Sequence, residues 1–268
     1  MKLNGKVVVV TGAGSGMGRE LVLQLLRRGA RVAGVDVNGA ALQETTTKAS
    51  GGAGLATFVV NIAERGPVEA LPAQVIERFG HVDGIINCAG IIQPFVRLKD
   101  LEWAAIERVM AVNFWGTLHM VRAFLPRLLE RPEAHVVNVS SMGGFLPVPG
   151  QSLYGASKAA VKLLTEALHS ELIDTSVRVT VVFPGAIATN IAANSGVAMG
   201  LSADDAKKSS IKMTAADRAA TIILDGMEAN AYRVLVGSDA KLMDALYRLD
   251  PRRAAGFIQR QMRELLAR

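Results

Sequence analysis

The fold of this chain is decided by residues 7–18, which read VVVVTGAGSGMG. Four consecutive valines are typical of a strand that is buried on both faces, as in a parallel sheet covered by helices. The glycines that follow allow the backbone to turn tightly, and the apolar spacing of Gly18–Arg28 predicts a helix. The segment therefore indicates the first strand, turn and helix of an alternating α/β fold.

The same alternation of strand and helix continues along most of the chain. Helical spacing recurs between apolar runs, for example in Ala156–Leu172. The predicted strands are Lys6–Thr11, Arg31–Asp36, Leu55–Val60, Gly84–Asn87, His135–Val139, Val177–Phe183 and Arg233–Val236. Several of them are continuous valine and isoleucine runs, which suit strands covered on both faces. We therefore predict an α/β fold, with one doubly wound domain, a mainly parallel seven-stranded sheet and helices on both faces.

Composition excludes several classes of protein. The chain has 268 residues, of which 50% are hydrophobic and 20% are charged, so it is neither disordered nor collagen-like. Its single cysteine cannot form an internal disulfide, and no run of about 18 apolar residues predicts a membrane-spanning helix. Because the first residues lead directly into a strand, we expect no signal peptide and a location in the cytoplasm.

Much of the formal charge of +6 is concentrated near the end of the chain. Residues 233–268 contain eight lysines and arginines and four acidic residues. We interpret them as a solvated helical surface and expect no nucleic-acid partner, because no nucleic-acid motif and no interleaved aromatic residues accompany the cations. Peripheral contact of this tail with a membrane surface is the alternative. Apolar spacing on either side of Pro251 predicts two short amphipathic helices.

The glycine-rich turn has the context of a dinucleotide-binding site. Glycines let the backbone approach a pyrophosphate, whose charge the N-terminus of the next helix favours. Asp36 ends the second predicted strand 18 residues after Gly18. A carboxylate there can accept hydrogen bonds from both ribose hydroxyls and repels a 2′-phosphate. Neither Ser15 in the turn nor residues 37–39 (Val-Asn-Gly) supply a cation for such a phosphate, so we expect NAD(H) rather than NADP(H) as the cofactor.

Further motifs extend this pattern along the chain. They are Thr11–Gly18, Asn87-Cys88-Ala89-Gly90, Asn113, Ser141, Tyr154-x-x-x-Lys158 and Pro184-Gly185. In order and spacing they resemble the motifs of the short-chain dehydrogenase/reductase family, and the resemblance covers about residues 4–238. It implies a Rossmann-type NAD(P)-binding catalytic domain over residues 1–238, with a substrate loop at about 187–212. The helical extension over residues 239–268 is then expected to pack on the same domain or on a neighbouring subunit.

The proton-transfer chemistry centres on Tyr154 and Lys158, which are four residues apart and project from one helix face. A tyrosine with an unperturbed pKa of about 10 is a poor base near neutral pH, and a nearby ammonium stabilises its phenolate. The resemblance implies that Tyr154 is the general acid and base, and that Lys158 lowers its pKa and binds the nicotinamide ribose. It also implies that Ser141 hydrogen-bonds the substrate oxygen and that Asn113 holds a water in a proton relay.

The resemblance also assigns residues to the cofactor site. They are Gly12, Gly14, Ser15, Gly16, Met17, Gly18, Asp36, Asn61, Ile62, Asn87, Ala89, Gly90, Tyr154, Lys158, Pro184, Gly185, Ile187 and Thr189. Two positions depart from the family. Asn61 stands where an acidic residue usually touches adenine, although its side chain can still accept a hydrogen bond. Cys88 replaces an asparagine, and we interpret it as a small buried residue. No metal site is predicted.

The expected substrate pocket lies outside the carboxyl ends of the strands. Its expected walls are mostly apolar and comprise Ile91–Phe95, Gly143–Val148 and Ile187–Lys212, with Gln93 and Asn190 as polar exceptions. We therefore expect a hydrophobic secondary alcohol or its ketone as substrate, of steroid-, terpenoid- or acyl-like character.

Two other functions remain open. An NADPH-dependent carbonyl or 3-oxoacyl reductase would use the same catalytic residues, and Asp36 is the feature against it. A dinucleotide-sensing regulator would keep the fold without turnover, but it would have no need of a proton-transfer pair. Members of the family usually associate through their long helices, so we expect a homodimer or a homotetramer.

Overall fold

The computed structural model describes residues 1–50, 52–197 and 213–262. Its strands are β1 (Val7–Thr11), β2 (Arg31–Asp36), β3 (Leu55–Val59), β4 (Gly84–Asn87), β5 (Ala134–Val139), β6 (Val177–Pro184), β7 (Ile187–Ala188), β8 (Thr214–Ala215) and β9 (Arg233–Val236). Seven of them form one parallel sheet in the order β3-β2-β1-β4-β5-β6-β9, while β7 and β8 pair with each other. The predicted doubly wound α/β fold is confirmed, and the predicted strand ends differ from the observed ones by at most one residue.

Helices connect the strands and cover both faces of the sheet. They are α1 (Gly16–Arg27), α2 (Gly39–Lys48), α3 (Arg65–Phe79), α4 (Trp103–Met110), α5 (Thr117–Leu129), α6 (Ser152–Glu171), α7 (Ile191–Asn194), α8 (Ala216–Glu228), α9 (Ser238–Leu249) and α10 (Pro251–Gln261). A π-helical segment, Ala111–Gly116, joins α4 to α5, and a short 3₁₀ turn, Met142–Gly144, follows β5.

Successive side chains of a strand point to opposite faces, so β1 contributes to two separate cores. Val8 packs in a buried cluster with residues of α1 and α8, and Val9 packs in another with residues of α3 and α5. Because every residue of β1 is buried, its apolar run has no solvent-facing side. This explains why the sequence shows a continuous valine run instead of an alternation.

The strand order reverses next to β1, and this reversal creates the crevice where ligands bind in such sheets. Thr11 at the end of β1 is in register with Val35 on β2 and with Asn87 on β4. The three strands therefore end close together, and their loops line one opening at the carboxyl edge of the sheet.

The turn from β1 into α1 requires glycine at defined positions. Gly12 and Gly16 have φ values of +73° and +50°, in the left-handed region that glycine adopts at little cost. A Cβ atom on Gly18 would overlap the carbonyl oxygen of Gly12. These glycines therefore allow the first turn of α1 to pack directly against the end of the strand.

The two helices that the apolar spacing predicts around Pro251 are α9 and α10. Their buried side chains, Met243, Ala254 and Ile258, form a small core with Leu146, just after the turn that follows β5. The described part of the tail thus packs on its own chain beside the Ser141–Tyr154 region.

Parts of two predicted regions lie outside the described residues. These are residues 198–212 of the expected substrate loop and residues 263–268 of the tail. Within the ranges that are described, no helix combines the length and apolar character needed to cross a bilayer.

Candidate active site

A cavity of 310 Å³ opens at the carboxyl edge of the sheet. The residues assigned to the cofactor from the sequence that line it are Gly12, Ser15, Gly16, Met17, Gly18, Asp36, Asn61, Ile62, Ala89, Gly90 and Thr189. They come from five separate stretches of the chain, so the fold brings most of the assigned set together. Cys88, Ile91, Val112, Ile191 and Asn194 also contribute to the wall.

The amino end of α1 meets this cavity without a side-chain cap. Ser15 precedes the helix but makes no capping hydrogen bond, and the first turn of α1 contains no acidic residue. The hydroxyl of Ser15 instead accepts a hydrogen bond from Nδ2 of Asn194 at 2.8 Å. Uncapped N–H groups and the positive end of the helix dipole are what an anionic pyrophosphate needs. This end of the cavity therefore fits a dinucleotide.

Two backbone groups orient the Asp36 carboxylate. Gly14 N donates to Oδ2 at 2.9 Å, and Asn38 N donates to Oδ1 at 3.0 Å. A Cβ atom on Gly14 would lie only 2.9 Å from Oδ2, so glycine is needed for this approach. Since a carboxylate has about four acceptor positions, two remain for hydroxyl groups of a ribose.

The sequence predicts no cation near Asp36, but the structure places Arg19 there. The guanidinium of Arg19 contacts the carbonyl oxygen of Gly14, the residue whose N–H binds Asp36. It also forms a 2.7 Å ion pair with Glu44 and donates to Thr45 at 3.1 Å. Arg19 follows the last glycine of the motif directly. Arg19 lies outside the glycine turn and outside residues 37–39, where a cation for a 2′-phosphate would be expected, so the motif does not indicate it.

Asn61 and Ile62 line the cavity beyond the end of β3. Oδ1 of Asn61 accepts a hydrogen bond from Ala63 N at 3.1 Å, and its Nδ2 donates to Glu64 at 2.8 Å. A carbonyl-type oxygen has two lone pairs, so Asn61 keeps one acceptor position for a ligand. Ile62 packs against Gly116 of the π-helical segment.

Ser141 and Tyr154 meet at the same edge of the sheet. Oγ of Ser141 accepts a hydrogen bond from Gly143 N at 3.0 Å. A Cβ atom on Gly143 would lie 3.4 Å from the Tyr154 ring and 3.5 Å from Oγ of Ser141, so the two side chains lie close together. The neighbouring Ser140 is buried and donates to the carbonyl oxygen of Lys158 at 2.7 Å.

The pKa of Tyr154 differs from the sequence expectation. Burial raises the pKa of its phenol above the usual 10.0, and the neighbouring Ser141 hydroxyl opposes this rise. The expected lowering by Lys158 is not observed, because desolvation outweighs the other effects and the ammonium donates to Val139 O at 2.9 Å. Tyr154 therefore holds its proton at neutral pH, in the form that can act as a proton donor.

Lys158 is almost fully buried on the same helix, one turn after Tyr154. Burial lowers the pKa of its ammonium to about 8. A Cβ atom on Gly90 would lie 3.1 Å from Nζ of Lys158 and 3.3 Å from Oδ1 of Asn113, so Gly90 lets both side chains approach the cavity wall. Desolvation raises the pKa of the Cys88 thiol to about 12, but the residue is only partly buried and lines the cavity, so its interpretation as a buried residue is not confirmed.

Asn113 lies in the π-helical segment between α4 and α5. Its side chain binds the backbone of Ile91 in both directions at 2.9 Å and donates to Ser157 Oγ at 3.0 Å. The backbone carbonyl oxygen of Asn113 accepts a hydrogen bond from the hydroxyl of Thr117 at 2.8 Å. A π-helical turn changes the backbone hydrogen bonding of a helix locally and is frequent at functional sites. The α-helical hydrogen bonding between α4 and α5 is thus interrupted at this asparagine.

Seven assigned cofactor residues lie outside the cavity lining: Gly14, Asn87, Tyr154, Lys158, Pro184, Gly185 and Ile187. The side chain of Asn87 points into the sheet and donates to Asn138 Oδ1 at 2.8 Å. Pro184 ends β6, and Ile187 belongs to β7. Thr189, by contrast, lies against Gly16, with its Cβ 3.2 Å from where a Cβ atom on that glycine would be.

Gly185 packs against Asp239 at the start of α9. A Cβ atom on this glycine would overlap the Asp239 carboxylate, whose Oδ2 accepts a hydrogen bond from Ala186 N at 2.7 Å. The tail therefore supports the backbone directly after the Pro-Gly motif.

The polar exceptions in the expected substrate walls behave differently from the prediction. Gln93 is fully buried, and its side chain is hydrogen-bonded to the start of α6 instead of facing a pocket. Asn190 is exposed just before α7. The sequence could not show this, because Gln93 finds its partners about 60 positions further along the chain.

Three features together define a class of dinucleotide-dependent oxidoreductases. They are the doubly wound sheet, the uncapped helix at the glycine turn and the Ser-Tyr-Lys group at one edge of the sheet. A sequence profile of the family described as "short chain dehydrogenase" matches residues 6–199. The chain belongs to this family, and it is an oxidoreductase of the short-chain dehydrogenase type.

Individual relatives agree with this assignment. The oxidoreductase named SadH in Mycobacterium tuberculosis is 38% identical over 254 residues, which is 91% of each chain. A short-chain dehydrogenase/reductase from Burkholderia phymatum, solved in complex with NAD, is 27% identical with a TM-score of 0.85 and covers 94% of this chain and 96% of its own. One from Burkholderia cenocepacia, solved in complex with NADP, is 26% identical with a TM-score of 0.81, at 96% and 99% coverage.

Proposed function

We propose that this protein interconverts a hydrophobic secondary alcohol and its ketone with NAD(H). The observation that carries the proposal is the placement of Tyr154 beside Ser141, one helical turn from the buried Lys158, next to a cavity that fits a dinucleotide. A protein that only sensed a dinucleotide would not need a protonated phenol and a buried ammonium at this edge.

In this mechanism the bound nicotinamide supplies or accepts a hydride at the substrate carbon. Ser141 donates a hydrogen bond to the substrate oxygen and thereby orients the reacting carbon. For reduction, Tyr154 gives its phenolic proton to the carbonyl oxygen, and for oxidation it takes the alcohol proton back. Lys158 holds positive charge next to the developing phenolate, and the side chain of Asn113 connects the Ile91 segment to α6.

The preference for NAD(H) over NADP(H) rests on Asp36. Its carboxylate is held by two backbone N–H groups at the rim of the cavity, where it can accept hydrogen bonds from ribose hydroxyls and repels a 2′-phosphate. Arg19 is the observation that favours the second candidate, an NADPH-dependent carbonyl reductase. The ion pair with Glu44 neutralises much of its charge, so the first candidate is preferred.

The cofactor proposal is tested by fluorescence titration of NADH and NADPH. We expect the wild type to bind NADH more tightly, and Asp36→Ala to lose most of that preference because the repulsion and two ribose acceptors are removed. Glu20→Gln is the matched control, since it also removes one carboxylate near the motif but from a side chain that does not line the cavity. Tighter NADPH binding by the wild type would contradict the proposal and favour the reductase. A protein that binds neither nucleotide would contradict both.

The activity itself is tested by following NADH absorbance with a panel of hydrophobic secondary alcohols and ketones. Turnover with NAD(H) on at least one pair supports the proposed reaction. Tight NADH binding without turnover on any member would favour a dinucleotide-sensing regulator.

We also propose a homodimer or homotetramer with one catalytic unit, residues 1–238, and a C-terminal extension, residues 239–268. Large apolar side chains that are exposed on the helices support association. Trp103 on α4 is 75% exposed, and Leu163 on α6 is 66% exposed. The extension supports the motif after β6 through Asp239. Light scattering of the purified protein measures the subunit number. We propose the cytoplasm as its location, where a chain with one cysteine needs no disulfide.

A further inference from the structure

Gln93 lies in the loop after β4 and is fully buried. Its Oε1 accepts hydrogen bonds from two successive backbone groups, Leu153 N at 2.8 Å and Tyr154 N at 3.0 Å. Its Nε2 donates to Gly150 O at 3.0 Å. All the hydrogen bonds that this side chain makes within the described residues go to the start of α6 and to the residues just before it.

The start of α6 has no cap of its own. Gln151 precedes the helix, but its side chain makes no capping hydrogen bond there and instead donates to Gln93 O at 2.9 Å. Helices normally satisfy their first N–H groups with a residue next to them in the chain. Here a residue about 60 positions away does so, and each of the two glutamines binds the backbone of the other's segment.

We propose that Gln93 is a positioning residue for Tyr154. It does not touch the reacting atoms, because its side chain is fully buried and bound to backbone groups at the start of α6. It holds the backbone N–H of Tyr154 and of the preceding residue, and so it determines where the first turn of α6 lies relative to the loop after β4. The inference rests on the proposed function, because it assigns Gln93 a part in the chemistry of Tyr154.

The physical reason is that α6 carries both proton-transfer residues at its start, where helices fray most easily. Reacting groups must be held to well within 1 Å, and a displacement of that size can lower a rate about 100-fold. A buried carboxamide that accepts from two N–H groups restricts this turn without occupying the cavity. The nucleotide end lies on α1 and β2 and has no hydrogen bond to Gln93 among the described residues.

The test compares Gln93→Met with Gln151→Met. Methionine keeps the length and flexibility of glutamine but accepts no strong hydrogen bond. For Gln93→Met we expect a 10- to 100-fold lower kcat, a KM within threefold of the wild type and an unchanged Kd for NADH. Gln151→Met loses its bond to Gln93 O but leaves Tyr154 N bonded, so kcat should stay within about threefold.

Amide hydrogen exchange provides a measurement that needs no substrate. The amides of Leu153 and Tyr154 should exchange at least tenfold faster in Gln93→Met than in the wild type and in Gln151→Met. A wild-type kcat in folded Gln93→Met would overturn the proposal, and so would equal losses in both methionine variants. If the wild type turned over no substrate, the proposed function would fail, whereas unchanged exchange at these two amides would overturn the positioning role independently.

Discussion

The two edges of the central sheet carry similar kinds of polar side chains, but these side chains have different partners. At the amino edge, the Asp83 carboxylate is 1% exposed and binds Val7 N, Arg131 and His81 at 2.9–3.2 Å. His135, also at this edge, is buried and hydrogen-bonded to Thr180 at 2.8 Å. Each group at this edge is held mainly by other groups of the protein.

At the carboxyl edge, the polar groups surround a cavity and keep unused capacity. The first N–H groups of α1 have no cap, and Asp36 uses only part of its acceptor capacity on backbone groups. A buried or aligned polar group without a partner costs free energy. The fold accepts this cost along the edge where we propose that a ligand binds, whereas at the amino edge Asp83 is paired through both oxygens and His135 leaves only its buried Nδ1 without a partner. Substitutions at the two edges should therefore separate activity from stability.

The largest effect is expected at the carboxyl edge for Tyr154→Phe. This change removes the phenolic proton, so kcat should fall by about 10²–10⁴-fold, while the Kd for NADH and the melting temperature change little. Tyr232→Phe is the control, because this phenol is exposed and distant from the site, and it should keep wild-type kcat. Both constants come from steady-state kinetics and titration. A variant with more than one tenth of wild-type kcat would refute the role of Tyr154.

At the amino edge, Asp83→Ala should act on stability alone. It leaves the partly buried Arg131 without its partner and Val7 N without an acceptor, which should cost about 2–4 kcal/mol of unfolding free energy. Asp100→Ala, which removes an exposed pair with Lys99, should change it by less than about 0.5 kcal/mol. Urea unfolding measures both. The comparison of edges would be wrong if Asp83→Ala lowered kcat in the folded protein.

Near neutral pH the smallest effect is expected from His135, which acts on the pH dependence of stability. Burial lowers the pKa of this imidazole from 6.5 to about 3. Because the unfolded chain takes up a proton near pH 6.5 and the folded chain does not, stability should fall as pH drops from about 6.5 toward 3. The slope from this residue is at most about 1.4 kcal/mol per pH unit.

His135→Gln should reduce that slope, measured by urea unfolding at several pH values. His169→Gln, at a histidine whose ring contacts the exposed Tyr232, should leave the slope unchanged. An unchanged slope in His135→Gln would show that acid sensitivity arises elsewhere in the fold.

Much of the fold and most of the candidate cofactor site could be predicted from the sequence. Valine and isoleucine runs mark buried parallel strands directly, since every side chain in them avoids water. The glycine turn and Asp36 are separated by one strand and one helix, so their spacing already implies that they meet. Arg19 and Gln93 were missed or misplaced, because their partners depend on how loops and helices pack.

The sequence alone determined the α/β alternation, the strand positions and the candidate residues for proton transfer and phosphate binding. These follow from local chemistry and from regular backbone geometry, which neighbouring residues dictate. Only the tertiary structure decided that Tyr154 has a raised pKa, that Arg19 pairs with Glu44 and that Gln93 caps α6. Desolvation and long-range hydrogen bonds depend on which distant segments come together, and that is a property of the packed molecule.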